Sequence, residues 1–592
     1  MAEPIRVANC SGFLGDRPSA AREMVEGGPI DVLTGDWLAE LTMLILARIQ
    51  AKQPGTGFAG TFVTQMEEVM GTCLDKGIKV VSNAGGLNPK ACADAIAEIA
   101  DRLGLAPSIA FIDGDDLMGR LDEIYPELHV FDQSAGIGDS DAYLTANAYL
   151  GCWGIVEALD QDTDIVITGR VTDAALTCGP AAWHHGWERD SWDALAGGVV
   201  AGHVLECSTQ ATGGNYSFFT EIPGFDDPDR SRFGFPWADI EQDGSSTIGK
   251  HDGTGGVVNI GTVTSQLLYE IGSPLYAGPD VNSRFDTIRI EETAPDRVRI
   301  SGVRGLPPGP FLKVGINEMG GYRNSFEIAL TGIDIEEKAA FVQAAFWNAC
   351  PVGPDAFDSV TSQVLRTDHP NPDSNERAMA RWRITVKDRD EQRVGRAFSD
   401  AMVQTFLASI PGMFSLGGGP RAAQPFGIFR PALIPSHLVP QYVHIGDSVT
   451  EVPSAWPAPD LVKSATVESP SRPPEAVEGG PTRSAPLGRL IGTRSGDKGG
   501  DANLGVYARS DDGFFWIDSF LSVERFRELL PETSELPIDR YALPNLRALN
   551  FVIHGLLDEG VAASTRIDAQ AKSLGEWLRA RIVEIPQALL ED

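Results

Sequence analysis

The chain is poor in cysteine and in positive charge, and it has no long apolar run. Each lack removes a class of protein. Seven cysteines in 592 residues (Cys10, Cys73, Cys92, Cys152, Cys178, Cys207 and Cys350) form no CxxC pair. That excludes a disulfide framework and fits a reducing cytosol, with thiols used as small core residues. Lys plus Arg number 48 against 82 Asp plus Glu, a net charge of −34. Such a surface repels phosphate backbones and anionic lipid, so nucleic-acid and membrane partners are not expected. Apolar runs such as Leu41–Ala47 fall far short of the ~20 residues of a membrane helix. The start, Met-Ala-Glu-Pro-Ile-Arg, lacks a basic segment followed by an apolar one, so no secretory signal is expected. The expected setting is cytoplasmic. GxGxxG, the GxxxxGK[ST] loop, GxSxG and HExxH do not occur, which leaves dinucleotide, NTP, serine-hydrolase and zincin chemistry unsupported.

What remains is ordinary globular composition, 42% hydrophobic and 22% charged. The first half alternates short β-branched runs with helical patterns. Ile5–Ala8, Ile78–Val81, Ile109–Ile112 and Asp164–Thr168 read as strands; Trp37–Ala51 and Ala91–Leu103 read as helices. Alternation of this kind predicts an α/β fold with a mainly parallel sheet over about 1–217. From 218 to 452 the pattern is α+β, with strands at 287–291, 297–303 and 381–387 and helices at 335–348 and 396–409. Residues 453–486 carry eight prolines without periodicity and read as a linker or arm. Residues 487–592 restart a strand–helix pattern, sized for a small ferredoxin-like α+β domain. The domains expected are thus 1–452, a linker at 453–486, and 487–592.

Chemistry concentrates in a few segments. Loops 9–17, 82–89 and 169–173 each follow an apolar strand, so a parallel sheet brings them to one edge, where ligands bind. They supply Arg17, Asn83, Gly85, Gly86, Arg170 and Asp173. A second constellation, His203, Glu206 and Cys207, falls at i, i+3 and i+4 of a helix read over 195–210, on one face. A carboxylate-backed histidine suits proton transfer, and a His/Cys pair could join a zinc site. No second His/Cys pair at metal spacing accompanies it, so no metal is expected. Gly213, Gly214 and Asn215 follow, as a backbone N–H site for an oxyanion. Asp36 and Glu40 read either as helix-capping residues or as an acid/base pair. Lys250 heads a Gly-rich loop that could hold a phosphate. Arg494 to Asn503, with Ser495, Asp497 and Lys498, reads as a polar loop between two strands, too long for a simple hairpin. His184 and His185 read as an amphipathic surface.

Taken together, Gly35-Asp36-Trp37-Leu38-Ala39-Glu40, Gly169-Arg170-Val171-Thr172-Asp173, Gly202-His203 with Glu206-Cys207, Gly213-Gly214-Asn215 and Gln266-Leu267-Leu268-Tyr269-Glu270 resemble the acyclic terpene utilisation A (AtuA) family. Arg494-Ser495-Gly496-Asp497-Lys498-Gly499 with Asn503 resembles that family's C-terminal ferredoxin-like domain. The resemblance implies catabolism of branched acyclic terpenes through CoA thioesters. It therefore implies an acyl-CoA thioester as substrate, with CoA as part of the substrate and no separate cofactor. The expected activity is hydratase or dehydratase chemistry, a lyase step. His203, Glu206, Asp36 and Glu40 are the acid/base candidates, and Arg17, Asn83, Gly85, Gly86, Arg170, Asp173, Cys207, Gly213, Gly214, Asn215, Lys250, Ser495, Asp497, Lys498 and Asn503 are the candidate substrate contacts. The alternative is a non-catalytic acyl-CoA-binding or scaffold protein. A homo-oligomer is expected of an abundant catabolic protein.

Overall fold

In the computed structural model the described residues are 3–131, 136–227, 232–416, 421–454 and 480–590. The chain divides into two compact units, one of 1–317, 429–561 and 568–592, the other of 318–428 and 562–567.

The larger unit is built on an eleven-stranded sheet. Its centre is five parallel strands in the spatial order Ile5–Asn9, Val32–Gly35, Lys79–Ser82, Ile165–Thr168 and Ile109–Asp113. Four of these are buried at every position or all but one, as expected of parallel strands covered on both faces. Helices Glu40–Lys52, Gly60–Lys76, Pro89–Leu103, Trp153–Asp160, Ala175–His185 and Trp192–Leu205 lie between the strands in sequence. Antiparallel strands extend the sheet on both sides. Pro236–Ile240 and Ser246–Lys250 add beside the first strand, and Gln441–Ile445 adds beside Ile109–Asp113. The strands read at 287–291 and 297–303 form at Arg289–Ala294 and Arg297–Ser301, and they join this same sheet.

The ferredoxin-like portion has an antiparallel sheet in the order Ile491–Lys498, Asp501–Ala508, Ala548–Ile553, Ile538–Leu543. Helices Asp511–Phe520, Val523–Leu529 and Leu574–Ala580 pack on a core centred on Leu504, Phe526 and Phe551. Thr482–Pro486, read as the end of the linker, is a strand paired with Ile582–Pro586. Most of the 453–486 reading lies outside the described residues.

The expectation for 494–503 is corrected. Both strands run on through it, and only Gly499 and Gly500 make the turn between Lys498 and Asp501. Gly499 takes φ +64, which a two-residue hairpin loop needs and glycine supplies. As a sequence the segment fits an anion clamp, an interface element or a solvated loop. Its polar groups are in fact buried against the rest of the unit: Arg494, Ser495 and Asn503 are all enclosed.

The second unit is antiparallel. Met379–Asp388 pairs with Ser359–Leu365 and with residues 322–331 of the long strand Phe311–Thr331. Helices Ile335–Ala349 and Phe398–Gln404 cover it over Phe346, Trp382 and Phe398.

Candidate active site

Four of the five parallel strands end on groups that meet. Asp36 follows Val32–Gly35, Asn83 follows Lys79–Ser82, Asp115 follows Ile109–Asp113, and Arg170 with Asp173 follow Ile165–Thr168. Asp36 is not a helix cap. The helix begins at Glu40, and Thr42 Oγ1 accepts from the Ala39 N–H at its start. Asp36 instead turns inward, and its Oδ1 accepts from Asn83 Nδ2 at 2.6 Å and from the Leu38 N–H at 3.1 Å. Asn83 Oδ1 in turn accepts from the Trp37 N–H at 2.8 Å. Asn83 thus sets the turn that carries Asp36. Arg170 is held by its own N–H donating to Asp115 Oδ2 at 2.9 Å, by the Leu38 carbonyl, and by Asp173 at 3.1 Å. Its guanidinium lies 4.1 Å from the Tyr149 ring centroid, a cation–π contact.

His203 and Glu206 come from the end of the helix Trp192–Leu205. The helix read over 195–210 stops at 205, because Ser208 takes a left-handed φ of +49 and a 3₁₀ turn, Ser208–Thr212, follows. His203 Nδ1 lies 3.3 Å from Glu206 Oε1, with side-chain exposures of 1% and 6%. The imidazole sits among the rings of Tyr276 and Phe285, centroids 5.2 and 5.5 Å away. Among the described residues neither ring nitrogen has a hydrogen bond of good geometry, and Glu206 Oε2 has no partner.

The ferredoxin-like portion completes the cluster from the same chain. The Glu270 N–H donates to Asn503 Oδ1 at 2.8 Å, and Asn550 Nδ2 donates to the carbonyls of Ile271 and Gly272. Thr493 and Ser217 exchange bonds of 2.9 and 3.0 Å. Arg494 bonds Gln210 and stacks 3.8 Å from the Tyr269 centroid. This docking carries Asp497 and Lys498 to the cluster, where Lys498 Nζ donates to the Glu270 carbonyl at 3.2 Å. Lys313 stands beside them and pairs with Glu40 at 2.8 Å. The side chains of Asp173, Lys313 and Glu40 are 31%, 29% and 24% open. His203, Glu206, Asp36 and Arg170, by contrast, are buried.

Burial and like charge set the protonation. Burial holds the Glu206 carboxyl well above its usual range, and Asp173 and Glu270 push it further. Asp36 is raised by burial and then by Asp173, against Arg170. Burial lowers His203 to about 4. Asp115 and Asp497 are each raised by burial to about 7, Asp497 also by Glu270 and Glu40. Burial, then Lys313, lowers Lys498. Burial and Glu206 raise Cys207 well above its usual value, so it is a thiol rather than a thiolate. Burial thus favours the acid form of these carboxyls and the neutral form of the imidazole.

Several expected contacts are used otherwise. Arg17 pairs with Glu23 at 2.8 Å and donates to the Phe233 carbonyl, so its charge is matched locally. Lys250 is buried, pairing with Asp296 at 3.0 Å and donating to the Thr254 carbonyl; it fastens its own loop. Gly213, Gly214 and Asn215 shape a turn: Gly213 packs against Ile222, Gly214 against Thr209, and Asn215 is exposed. Gly85 and Gly86 are close-approach positions, where a side chain would meet the Thr168 and Gly57 carbonyls. Ser495 Oγ donates to the Ala571 carbonyl and accepts from the Gly575 N–H, joining strand to helix. His184 and His185 bond the carbonyls of Glu3 and Ile240. Sequence reasoning missed Tyr149, Lys313, Asp115 and Tyr276, which carry no local motif. Among the described residues no group of three or more His, Cys, Asp or Glu is placed to hold a metal ion. No described helix is long and apolar enough to cross a membrane.

A buried cluster of ionisable groups thus lies at the carboxyl edge of the parallel sheet of an α/β protein, with the ferredoxin-like portion packed against it. The matching family models give that class its name. Residues 5–445 match the acyclic terpene utilisation family protein AtuA, and residues 485–584 match the AtuA ferredoxin-like domain. The chain belongs to the AtuA family, and membership ties it to acyclic terpene utilisation. Comparison with curated proteins finds no match.

Proposed function

We propose that the chain is an enzyme that adds or removes water at a branched-chain or terpenoid acyl-CoA thioester. The observation that supports this reading is the enclosed His203–Glu206 pair, 3.3 Å apart, with the proton favoured on the carboxyl. Dehydration needs a base for the Cα proton and an acid for the departing β-hydroxyl. Glu206, kept protonated by burial, is the acid. The proton that the base takes from Cα returns to Glu206 at the end of the turnover, and the imidazole beside it stays neutral above its pKa of about 4. Asp173, ion-paired with Arg170, is the base. Arg170 supplies fixed positive charge for the enolate oxygen that develops as the Cα proton leaves. Asp36 and Glu40 hold neighbouring cations and backbone in place.

The test is mass spectrometry after incubation with 3-methyl-branched enoyl-CoA and 3-hydroxyacyl-CoA thioesters. The expected result is a gain or loss of one water. The Glu206→Gln variant should reduce the rate about 10²–10⁴-fold with its fold retained. Carbon–carbon cleavage products would overturn the hydro-lyase assignment. Thermal stabilisation by these thioesters without turnover would overturn catalysis and favour a binding or scaffold protein.

A further inference from the structure

The second unit leaves one sheet edge open. Ser359–Leu365 is the end strand of its antiparallel sheet; it pairs with Met379–Asp388 on one side and, among the described residues, with no strand on the other. Outside that pairing, the one backbone hydrogen bond to it among the described residues runs from the Thr367 N–H to the Leu365 carbonyl. An open edge is a row of unmet N–H and C=O groups, and folded chains blunt such rows with charge, proline or a bulge. Three other edge strands do so. Arg289–Ala294 carries Arg289, Glu291 and Glu292 and a break in register between Glu292 and Ala294. Ser448–Val452 carries Glu451, and Ile538–Leu543 carries Asp539 and Arg540. Ser359–Leu365, Ser-Val-Thr-Ser-Gln-Val-Leu, has no charge and no proline, and its register is unbroken over all seven residues. Both of its faces are already in use. Val360 and Val364 pack on the core with Trp382 and Ile384, and the Trp382 indole N–H donates to Ser362 Oγ at 2.9 Å. The alternate residues take the other face, where Thr361 meets Thr565 at 3.0 Å. What remains is the edge itself.

We propose that Ser359–Leu365 is the seam of a homodimer, pairing antiparallel with the same strand of a second copy about a two-fold axis at Ser362. The inference is independent of the reaction proposed above. The strand is matched to its own reverse. In this register the whole strand is paired: Val360 falls opposite Val364, Thr361 opposite Gln363, and Ser359 opposite Leu365. The contact is isologous, so each of these pairs occurs twice. Both valine pairs lie on the core face, and the seam joins one hydrophobic core to the next. Asp358 and Arg366 flank the strand, and the same register sets each opposite the other, unlike charges at both ends. Arg366 is held in place by its own Glu336 and Asp368 and stays half open. A slip of two residues either way sets Asp358 opposite Asp368 or Val364 and leaves part of each strand unpaired. The helix Ile335–Ala349 turns Glu336 and Gln343 toward this edge, where they meet Arg366 and Ser362. Ala340, on the same side of the helix, is exposed, so the helix presents a small side chain there. Each copy carries a charge of −34, and a strand without acids is where two such copies approach with least repulsion.

The experiment is sedimentation velocity on the full chain at micromolar concentration, paired with cysteine cross-linking. The expected species has twice the 63.5 kDa mass of the chain. Gln363 is exposed, and Gln363→Lys places a charge on the seam. It should shift the species to the mass of one chain while the far-ultraviolet circular dichroism spectrum stays unchanged. Ser362→Cys should link to its own copy under mild oxidation, because the axis sets position 362 against itself. Val360→Cys should link to Val364→Cys in a mixture of the two variants and not to itself. The seven native cysteines are buried or half-buried, and the wild-type chain is the blank. A wild-type chain that sediments as one chain would overturn the proposal. A dimer that Gln363→Lys leaves intact, or in which Ser362→Cys does not link, would place the contact on another surface and overturn it as well.

Discussion

At the residue scale the site is a problem of unlike charges held out of water. Arg170 is almost fully enclosed and faces Asp173, Asp36 and Tyr149. Enclosed charge is tolerated only when paired, and removing one partner leaves the other uncompensated. Arg170→Met should therefore destabilise the chain by about 3 kcal/mol, the lower end for a buried pair because Asp173 is one-third open. Urea unfolding measures it; a loss no larger than that of an exposed arginine variant would contradict the pairing. His203 makes the complementary case. Its nitrogens lack good hydrogen bonds among the described residues, so the fold gains little from the imidazole as such. His203→Gln should lower turnover at least tenfold and shift the urea midpoint little, whereas a core histidine would show the reverse.

At the scale of elements, the hairpin Ile491–Lys498/Asp501–Ala508 couples fold to chemistry. It packs through glycines: a Cβ on Gly496 would sit 2.3 Å from the Tyr269 ring, and one on Gly505 2.5 Å from Leu268 Cβ. Overpacking at such contacts costs about 1–3 kcal/mol. Gly496→Val should lower stability by that amount and should also reduce turnover, because the strand packs on Tyr269, next to Glu270, whose charge acts on the acid Glu206. Unchanged turnover in a folded Gly496→Val variant would separate the hairpin from the site. The same hairpin shows what a sequence can disclose. Most of the parallel strands were legible because β-branched runs such as Ile165–Thr168 are bounded by Gly and Asp, and their carboxyl ends placed Asn83 and Arg170 at one edge, whereas Asp36 follows Val32–Gly35, a strand that the sequence reading lacked. The hairpin itself was not legible, because its polar residues fit a loop as well as an interface. Arg494 and Asn503 are polar for an intramolecular interface, which no local pattern distinguishes from solvent. Lys313 and Tyr149 arrive from distant strands and have no periodicity of their own to mark them. The Lys250 loop failed for the opposite reason: its lysine has a partner, Asp296, forty-six positions away in the chain.

At the scale of the whole molecule, the buried acids should set how stability depends on pH. Asp115 and Asp497 titrate at about 7 in the fold and Asp280 at about 6, all raised by burial. Asp36 and Glu206 are raised further. A carboxyl raised on folding binds more protons in the native than in the unfolded chain between its unfolded and folded pKa. Its contribution is present below the unfolded value near 4 and is lost as pH rises through the folded value, at about 1.4 kcal/mol per unit for each group. Three histidines oppose it. Burial lowers His203 to about 4 and pushes His185 and His251 down as well. A lowered histidine favours the unfolded chain below about 6.5, so it adds stability as pH rises toward that value and nothing above it. The acids are more numerous, and two of them titrate where the histidine effect has ended. The net charge of −34 acts in the same direction, since self-repulsion grows as the remaining carboxyls ionise. The urea midpoint should therefore fall between pH 5.5 and pH 8, most steeply near pH 7. Asp115→Asn keeps an acceptor for the Arg170 N–H and removes one titration, so its midpoint should change less over the same interval. A wild-type midpoint that rises from pH 5.5 to 8 would mean that these carboxyls are ionised in the fold, and Glu206 could not then be the proton donor.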